Sequence, residues 1–219
     1  MERVLEPEVM DQAEQVRAYA KANFEQENQT FVDRFREYFP EMSDGHILDL
    51  GCGPADIPIR LARALPLCRI TGVDASQPMI DVGKQAVNAA GLADRITLRC
   101  ERLQSLSHEE PYDAVISNSL LHHLINPLRF WFAIKQLVKP GGPVLVMDLL
   151  RPESAQDAQA IVDQYAAHES PILRRDFYNS LLAAFTEDEV VAQLAEMNFS
   201  RLLIDVPDDR HWVVGGRVY

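Results

Sequence analysis

Two glycines and two acids lie close together in the first third of the chain. Gly51 and Gly53 follow the apolar run of residues 47–50, which contains Asp49, and Asp74 closes the next apolar run. Glycines directly after a strand let the backbone turn sharply and approach a ligand without a Cβ in the way. An acid at the end of the second strand is placed to accept hydrogen bonds from both hydroxyls of a ribose. The pattern predicts a site for a nucleoside-bearing cofactor.

The residue types around these glycines favour one cofactor over its main alternative. A nicotinamide dinucleotide fingerprint has a third glycine three positions after the second, and this chain has Asp56 there. A carboxylate that faces a pyrophosphate at a helix N-terminus opposes the favourable dipole. Asp49 adds another acid, which suits a cationic ligand. S-Adenosylmethionine carries an ammonium and a sulfonium and is therefore favoured, with a nicotinamide-dependent oxidoreductase on the same fold as the alternative.

Short apolar runs that alternate with helical stretches must position these residues. The pattern predicts helices that include residues 77–90, 127–138, 153–167 and 187–197, and strands at residues 46–50, 69–73, 95–99, 112–117 and 143–147. Strands alternating with helices of this length indicate a mostly parallel sheet. Their continuous apolar character is typical of a sheet that is covered on both faces. Residues 201–206 and 211–214 are separated by a short turn, which predicts an antiparallel hairpin at the sheet edge.

Composition and charge exclude several classes of protein. The 219 residues contain 21 Lys and Arg against 33 Asp and Glu, a formal net charge of −12. This excess of acid argues against a nucleic-acid partner and against an anionic membrane surface, since both attract cationic side chains. No apolar run approaches the length of about 20 residues that a membrane helix needs. The N-terminal residues lack the layout of a signal peptide, so we expect a cytoplasmic protein.

The cysteines do not form a recognisable site. Cys52, Cys68 and Cys100 are an odd number, and none of them has the spacing of a C-x-x-C pair. We expect free thiols in a reducing compartment. The sequence predicts no metal site.

Four motifs, taken together, resemble those of a class I S-adenosylmethionine-dependent methyltransferase of the small-molecule type. They are Leu48-Asp-Leu-Gly-Cys-Gly-Pro-Ala, Gly72-Val-Asp-Ala-Ser-Gln-Pro-Met79, Tyr112-Asp-Ala-Val-Ile-Ser-Asn118 and Lys139-Pro-Gly-Gly142. The resemblance covers about residues 45–150. It implies an α/β, Rossmann-like, seven-stranded and mostly parallel sheet with helices on both faces and an antiparallel last strand. It also implies methyl transfer to a small-molecule acceptor, which leaves S-adenosylhomocysteine; a non-catalytic module that binds the cofactor is a further alternative.

The resemblance implies contacts for the methionine end of the cofactor. Gly51 and Gly53 would let the loop pass the methionine part. Asp49 would hold its ammonium directly or through water. The backbone carbonyl of Asn118 would face the ammonium or sulfonium end.

It also implies contacts for the nucleoside end. Asp74 would bind the ribose diol, and Ala75 and Met79 would flank the adenine. Tyr19 lies in the helix that such enzymes fold over the cofactor, which makes it a further candidate.

The sequence departs from the family pattern after the third strand. The family usually has Gly-Asp-Ala there, and its Asp meets the adenine amino group. Here the aligned residues are Glu101, Arg102 and Leu103, so the acid stands one place early and Arg102 takes its position. Either Glu101 substitutes for the family's acid, or the main chain near Leu103 alone holds the adenine.

Two groups of polar residues are candidates for the acceptor site. His122 and His123 follow the fourth strand, where one of them could be a general base for a hydroxyl, amine or thiol, or both could simply line the pocket. Arg174 and Arg175 lie beyond the fifth strand with Tyr178 nearby. The arginines could clamp an anionic acceptor, or they could lie on a solvated helix face.

The segments before and after the residues that carry the resemblance are expected to complete the site. Residues 8–39 are polar and helix-forming, and Phe24, Phe31 and Phe35 fall on one stripe of an amphipathic helix. We therefore expect residues 1–44 to form an N-terminal helical cap and residues 45–219 the methyltransferase domain. Helices at about residues 150–185 would then build the acceptor pocket.

Overall fold

The computed structural model describes residues 1–6, 12–106 and 110–219. The strands among them are β1 (Asp44–Leu50), β2 (Leu67–Asp74), β3 (Ile96–Cys100), β4 (Ala114–Asn118), β5 (Gly142–Leu149), β6 (Leu202–Asp205) and β7 (His211–Val218). The α-helices are α1 (Ala13–Lys21), α2 (Glu25–Tyr38), α3 (Asp56–Ala64), α4 (Gln77–Ala89), α5 (Pro127–Leu137), α6 (Ala155–Tyr165), α7 (Pro171–Ala183) and α8 (Glu187–Glu196). Short 3₁₀ turns lie at Leu103–Ser105 and Leu121–His123.

The strands form one sheet in the order β3-β2-β1-β4-β5-β7-β6. β1 to β5 run parallel, and β7 runs antiparallel to both β5 and β6. This confirms the predicted Rossmann-like sheet and its terminal hairpin. The strand order reverses direction between β1 and β4, and the crevice at the carboxyl ends of such strands is where open α/β sheets bind ligands.

The two faces of the sheet are covered by different helices. Ile47 of β1 belongs to the core under α2, α3 and α4, whereas its neighbour Leu48 belongs to the core under α5 and α8. Successive side chains of a strand point to opposite faces, so a continuous apolar run serves both layers. Trp131 and Trp212 are fully buried in the second layer.

The N-terminal segment forms two helices, whereas the sequence pattern predicts one helix-forming stretch over residues 8–39. Residues 22–24 separate α1 from α2, and residues 8–11 of the predicted helical stretch lie outside the described residues. The side chain of Asn23 accepts a hydrogen bond from the backbone of Glu25 at 3.1 Å. Such local side-chain bonds compete with continuation of a helix. Phe31 and Phe35 are buried, while Phe24 lies at the break between the helices.

α6 and α7 pack together near the carboxyl end of β5. Leu149 of β5, Val162 of α6 and Leu181 of α7 share a small apolar core. The N-terminal segment lies beside α7, since the backbone of Val4 donates a hydrogen bond of 2.9 Å to the Leu182 carbonyl. Among the described residues, no helix combines the length and the apolar character that crossing a membrane requires. All three cysteines are free thiols.

Candidate functional site

A cavity of about 290 Å³ lies at the carboxyl ends of the strands. It brings together most of the residues that the sequence singles out: Tyr19, Gly51, Gly53, Asp74, Ala75, Met79, Glu101, Arg102, Leu103, Asn118, His122 and His123. Asp49 lines an adjoining cavity that shares Gly51, Gly53, Tyr19 and Asn118 with the first. The predicted cofactor residues and the predicted acceptor histidines therefore face common space.

Asp74 is held by two backbone donors. The N–H of Gly53 donates to Oδ2 at 2.9 Å, and the N–H of Ser76 donates to Oδ1 at 2.8 Å. Burial raises the pKa of Asp74, and these two hydrogen bonds oppose that rise. A carboxylate has about four acceptor positions, so each oxygen of Asp74 can accept a further hydrogen bond. That arrangement suits a pair of vicinal hydroxyls.

The two glycines of the loop differ in what surrounds them. Gly53 has a φ of +50°, and a Cβ added there would meet no atom within 4 Å. Gly51 has a φ of +75°, and its added Cβ would lie 3.0 Å from the Leu120 Cβ. Both positions need glycine for their backbone conformation. Gly51 also leaves room for the packing of Leu120, whereas Gly53 leaves open the space of the cavity.

Asp49 is a buried acid with an unsatisfied oxygen. It is 2% exposed, and within the described part of the chain its Oδ2 has no hydrogen-bond partner. Burial, together with the charge of Asp74, raises the pKa of Asp49 to about 8. The buried Oδ1 of Asn118 likewise lacks a partner among the described residues. Buried polar groups are normally hydrogen-bonded, so these two acceptors fit the ammonium end of S-adenosylmethionine.

Tyr19 of α1 closes over the same cavity. Its ring packs against Phe24 with centroids 4.8 Å apart. Burial raises the pKa of Tyr19 to about 12, and the charges of Asp74, Asp56 and Asp148 act in the same direction. Its hydroxyl is therefore neutral and available as a hydrogen-bond donor.

The residues at the predicted adenine end all line the cavity. The backbone N–H of Glu101 donates to the Asp74 carbonyl at 3.0 Å. The Glu101 carboxylate lies 4.0 Å from the Arg99 guanidinium, the outer limit of an ion pair. The Glu101 carboxylate and the main chain near Leu103 both border the cavity, so the two predicted ways of binding adenine stay open.

The histidine pair lies in a cluster of buried acids. Nδ1 of His122 lies 2.5 Å from Oδ1 of Asp148. Oε1 of Glu6 lies 3.3 Å from Nε2 of His122 and 3.1 Å from Nδ1 of His123. The side chain of His122 is 3% exposed and that of His123 is 16% exposed.

The pKa values of this cluster reflect burial and charge. Burial lowers the pKa of His122, but the charge and hydrogen bond of Asp148, with the charge of Glu6, raise it overall. For Asp148, burial raises the pKa, and the charge and hydrogen bond of His122 bring it below its usual value. The pKa of Glu6 is raised because burial outweighs the charge of His122 and the hydrogen bond from Ser180.

Sequence reasoning missed the two acids that contact the histidines. Asp148 is an acid inside a continuous apolar strand, and such residues are almost never fully buried without a partner. That signal could have marked it. Glu6 carries no comparable signal, because only the folded chain brings the N-terminus to the fourth and fifth strands.

Arg174 and Arg175, the two arginines of the possible anion clamp, each pair with a nearby acid. Arg174 pairs with Asp163 at 2.6 Å, and Arg175 pairs with Asp176 at 3.0 Å. Neither arginine, nor Tyr178, is among the described residues that line the cavity. The reason is the orientation of α7, which directs Leu173, Asp176, Phe177 and Ser180 to the cavity instead.

The strand order, the glycine loop and the acid at the end of β2 are arranged as in class I S-adenosylmethionine-dependent methyltransferase domains. Residues 47–142 match the family model described as a methyltransferase domain. Over these residues, which are less than half of the chain, the protein is similar to that family. The match runs from within β1 to the start of β5 and includes the glycine loop, His122 and His123.

Curated proteins similar to this chain are methyltransferases. A ubiquinone biosynthesis O-methyltransferase of Coxiella burnetii is 28% identical over 159 residues, which is 72% of this chain and 64% of that protein. A malonyl-[acyl-carrier protein] O-methyltransferase of Bacillus cereus is 33% identical over 91 residues, or 42% of this chain and 32% of that protein. The chain thus spans less than two thirds of either relative.

Solved structures with the same fold cover nearly the whole chain. The plantazolicin methyltransferase BpumL, crystallised with a desmethylplantazolicin analogue and S-adenosylhomocysteine, has a TM-score of 0.71 at 16% identity and covers 94% of this chain and 92% of its own. A methyltransferase from Aquifex aeolicus has a TM-score of 0.68 at 14% identity, with 96% and 100% covered. At these identities the likeness is one of fold.

Proposed function

We propose that this protein transfers the methyl group of S-adenosylmethionine to an oxygen atom of a small, largely apolar molecule. One observation carries the proposal: the predicted cofactor residues Gly53 and Asp74 and the histidines His122 and His123 line the same cavity. A methyl donor held at one end of this cavity would face an acceptor held at the other.

The chain supplies a complementary group for each part of the cofactor. Asp49, with its unsatisfied Oδ2, would pair with the ammonium. Asp74 would accept the ribose hydroxyls, and Gly53 would leave space for the chain that joins the two parts. When bound, S-adenosylmethionine supplies a methyl group that its positive sulfonium makes electrophilic.

The acceptor half of the cavity combines apolar side chains with polar ones such as Asp176 and Ser180. Leu124, Leu149, Leu173 and Phe177 line it together with His123. We propose that residues 1–44 and the helices at 150–185 form this half, with His122 and His123 as the groups that contact the acceptor. Orientation and the exclusion of water supply much of the rate of such a displacement, so the protein needs no fixed triad.

The similar proteins and the charge of the chain support the acceptor class. Two of the curated relatives are named O-methyltransferases, and an oxygen acceptor is therefore proposed here. A net charge of −12 disfavours a nucleic-acid acceptor, whose phosphates need several cationic contacts. The absence of a nucleic-acid partner and the cytoplasmic location stay predictions from the sequence.

A transfer assay with methyl-labelled S-adenosylmethionine tests the proposal. The purified protein is incubated with a panel of small hydroxy and carboxy compounds, with total RNA as a separate arm. We expect label in at least one small compound, formation of S-adenosylhomocysteine, and loss of both in Asp74→Ala. Asp81→Ala, an exposed acid of α4, is the matched control. Binding of a nicotinamide cofactor with none of S-adenosylmethionine, or strong labelling of RNA alone, would overturn the proposal.

A further inference from the structure

Three side chains from distant parts of the sequence converge at the acceptor end of the cavity. Glu6, His122 and His123 each offer one nitrogen or oxygen atom, and these atoms all lie within 4.8 Å of one another. The same Glu6 oxygen is 3.3 Å from Nε2 of His122 and 3.1 Å from Nδ1 of His123. Ligands at the usual distance from a tetrahedral zinc ion lie about 3.3 Å apart. The two distances from Glu6 are thus close to those between the ligands of a metal ion, and the third distance is within 4.8 Å.

The hydrogen bonding of His122 leaves its second nitrogen directed at a carboxylate. Nδ1 lies 2.5 Å from Asp148, so it carries a proton that it donates to that carboxylate. Nε2 then faces Glu6 Oε1, and two lone pairs at that distance would repel each other. Either a proton, on the imidazole or on the Glu6 carboxyl, or a metal ion must therefore lie between them.

Glu6 is held in place before any ligand binds. The Arg3 guanidinium donates to the backbone carbonyls of His122 at 2.6 Å and Leu124 at 3.0 Å. The hydroxyl of Ser180 donates to Oε1 of Glu6 at 3.0 Å. Arg3 is a nearby cation, and its Nε and Nη2 donate to main-chain carbonyls. The N-terminal segment is thus tied to the histidine turn with its acid facing inward.

We propose that Glu6, His122 and His123 form a binding site for one divalent transition-metal ion. Two imidazoles and one carboxylate are a donor set that suits Zn²⁺, Co²⁺, Ni²⁺ or Fe²⁺ and not Mg²⁺, which prefers oxygen ligands. This inference goes beyond the proposed methyl transfer, and metal binding can be measured without it.

The surroundings of the site match those of metal sites with an open position. A ligating histidine usually donates its other N–H to a carboxylate, and His122 has Asp148 for that purpose. Metal sites with three protein ligands keep a further position for water or substrate. His122 and His123 line the cavity, so that position would face the acceptor and could hold one of its oxygens, a use that rests on the proposed function.

Direct metal binding tests the site. Untagged protein, stripped with a chelator, is titrated with Co²⁺, followed by its visible absorption, and with Zn²⁺ and Mg²⁺ by calorimetry. We expect one equivalent of Co²⁺ with a tetrahedral or five-coordinate spectrum, displacement by Zn²⁺ and no comparable binding of Mg²⁺. Absence of saturable Co²⁺ and Zn²⁺ binding in the folded protein would overturn the proposal and leave a proton as the bridging cation.

Matched variants locate the ion. Glu6→Gln and His123→Ala should each weaken Co²⁺ binding at least tenfold, whereas Glu2→Gln and His168→Ala, which change exposed residues of the same types, should bind as the wild type does. If His123→Ala is unfolded by circular dichroism, Glu6→Gln, which keeps the side-chain shape, decides alone. Unchanged binding in Glu6→Gln would contradict the site. Methyl transfer without metal binding would reject this inference only, and metal binding without transfer would reject only the proposed function.

Discussion

The backbone N–H of Gly53 donates a 2.9 Å hydrogen bond to Oδ2 of Asp74, so the glycine loop after β1 is joined directly to the acid that ends β2. The bond orients the carboxylate and holds the loop close to it. The proposed ribose contact and the open space beside Gly53 are therefore coupled through this hydrogen bond, and variants at the two positions separate their contributions.

Asp74→Ala should weaken the binding of S-adenosylhomocysteine by about 2–3 kcal/mol, the scale of hydrogen bonds to a charged group. Calorimetry at fixed pH measures the loss, with Asp81→Ala as the control for removing an acid. A melting curve shows whether the Gly53 loop stays ordered. An unchanged dissociation constant in a folded variant would place the ribose contact elsewhere.

Gly53→Ala should lower cofactor affinity strongly, because the new Cβ enters the space that the cofactor needs. Gly91→Ala is a matched control: Gly91 has a φ of +68°, an added Cβ there also meets nothing within 4 Å, and it lines neither cavity. Both variants should lose about 1–2 kcal/mol of stability from the left-handed backbone. Equal affinities in the two variants would show that Gly53 does not border the cofactor.

Asp49 should make cofactor binding depend on pH. Its pKa of about 8 means that the carboxyl is mostly protonated at neutral pH, and pairing with an ammonium requires the ionised form. Binding then releases a proton below that pKa, so affinity should rise with pH by up to tenfold per unit between about pH 6 and pH 8. Asp49→Asn should flatten this rise.

Titrations of S-adenosylhomocysteine at several pH values, on both proteins, measure that difference. The ligand's own ammonium titrates equally in the two series, so only the change in slope is assigned to Asp49. Parallel profiles would mean that the acid does not contact the ammonium.

Glu101→Ala distinguishes the two ways of holding adenine. If the carboxylate reaches the amino group, the variant should lose about 1.5–3 kcal/mol of binding to S-adenosylhomocysteine. The loss should vanish for the analogue whose adenine amino group is replaced by oxygen. Glu110→Ala, an exposed acid, serves as the control. A variant with wild-type affinity for both ligands would leave the main chain near Leu103 as the adenine contact.

The sequence alone predicts that the residues proposed to bind the cofactor lie together, because the determinants of their placement are local. Gly51, Gly53 and Asp74 lie at the ends of adjacent strands, and the apolar periodicity that marks β1 and β2 also fixes where those ends fall. The carboxyl ends of parallel strands lie at the same edge of the sheet, so the residues that follow those strands lie close together. The hairpin of β6 and β7 could also be predicted from local sequence, because a short turn permits only antiparallel pairing.

The grouping of residues at the proposed acceptor end is decided by tertiary structure. Glu6, His122 and Asp148 meet because the N-terminal segment crosses α7 and is tied down by Arg3, a contact 119 residues away in sequence. Arg174 and Arg175 turn to Asp163 and Asp176, because the rotation of α7 is set by its packing on α6 and not by its own pattern. Local periodicity specifies where a helix lies along the chain. Which of its faces borders a cavity depends on what packs against it.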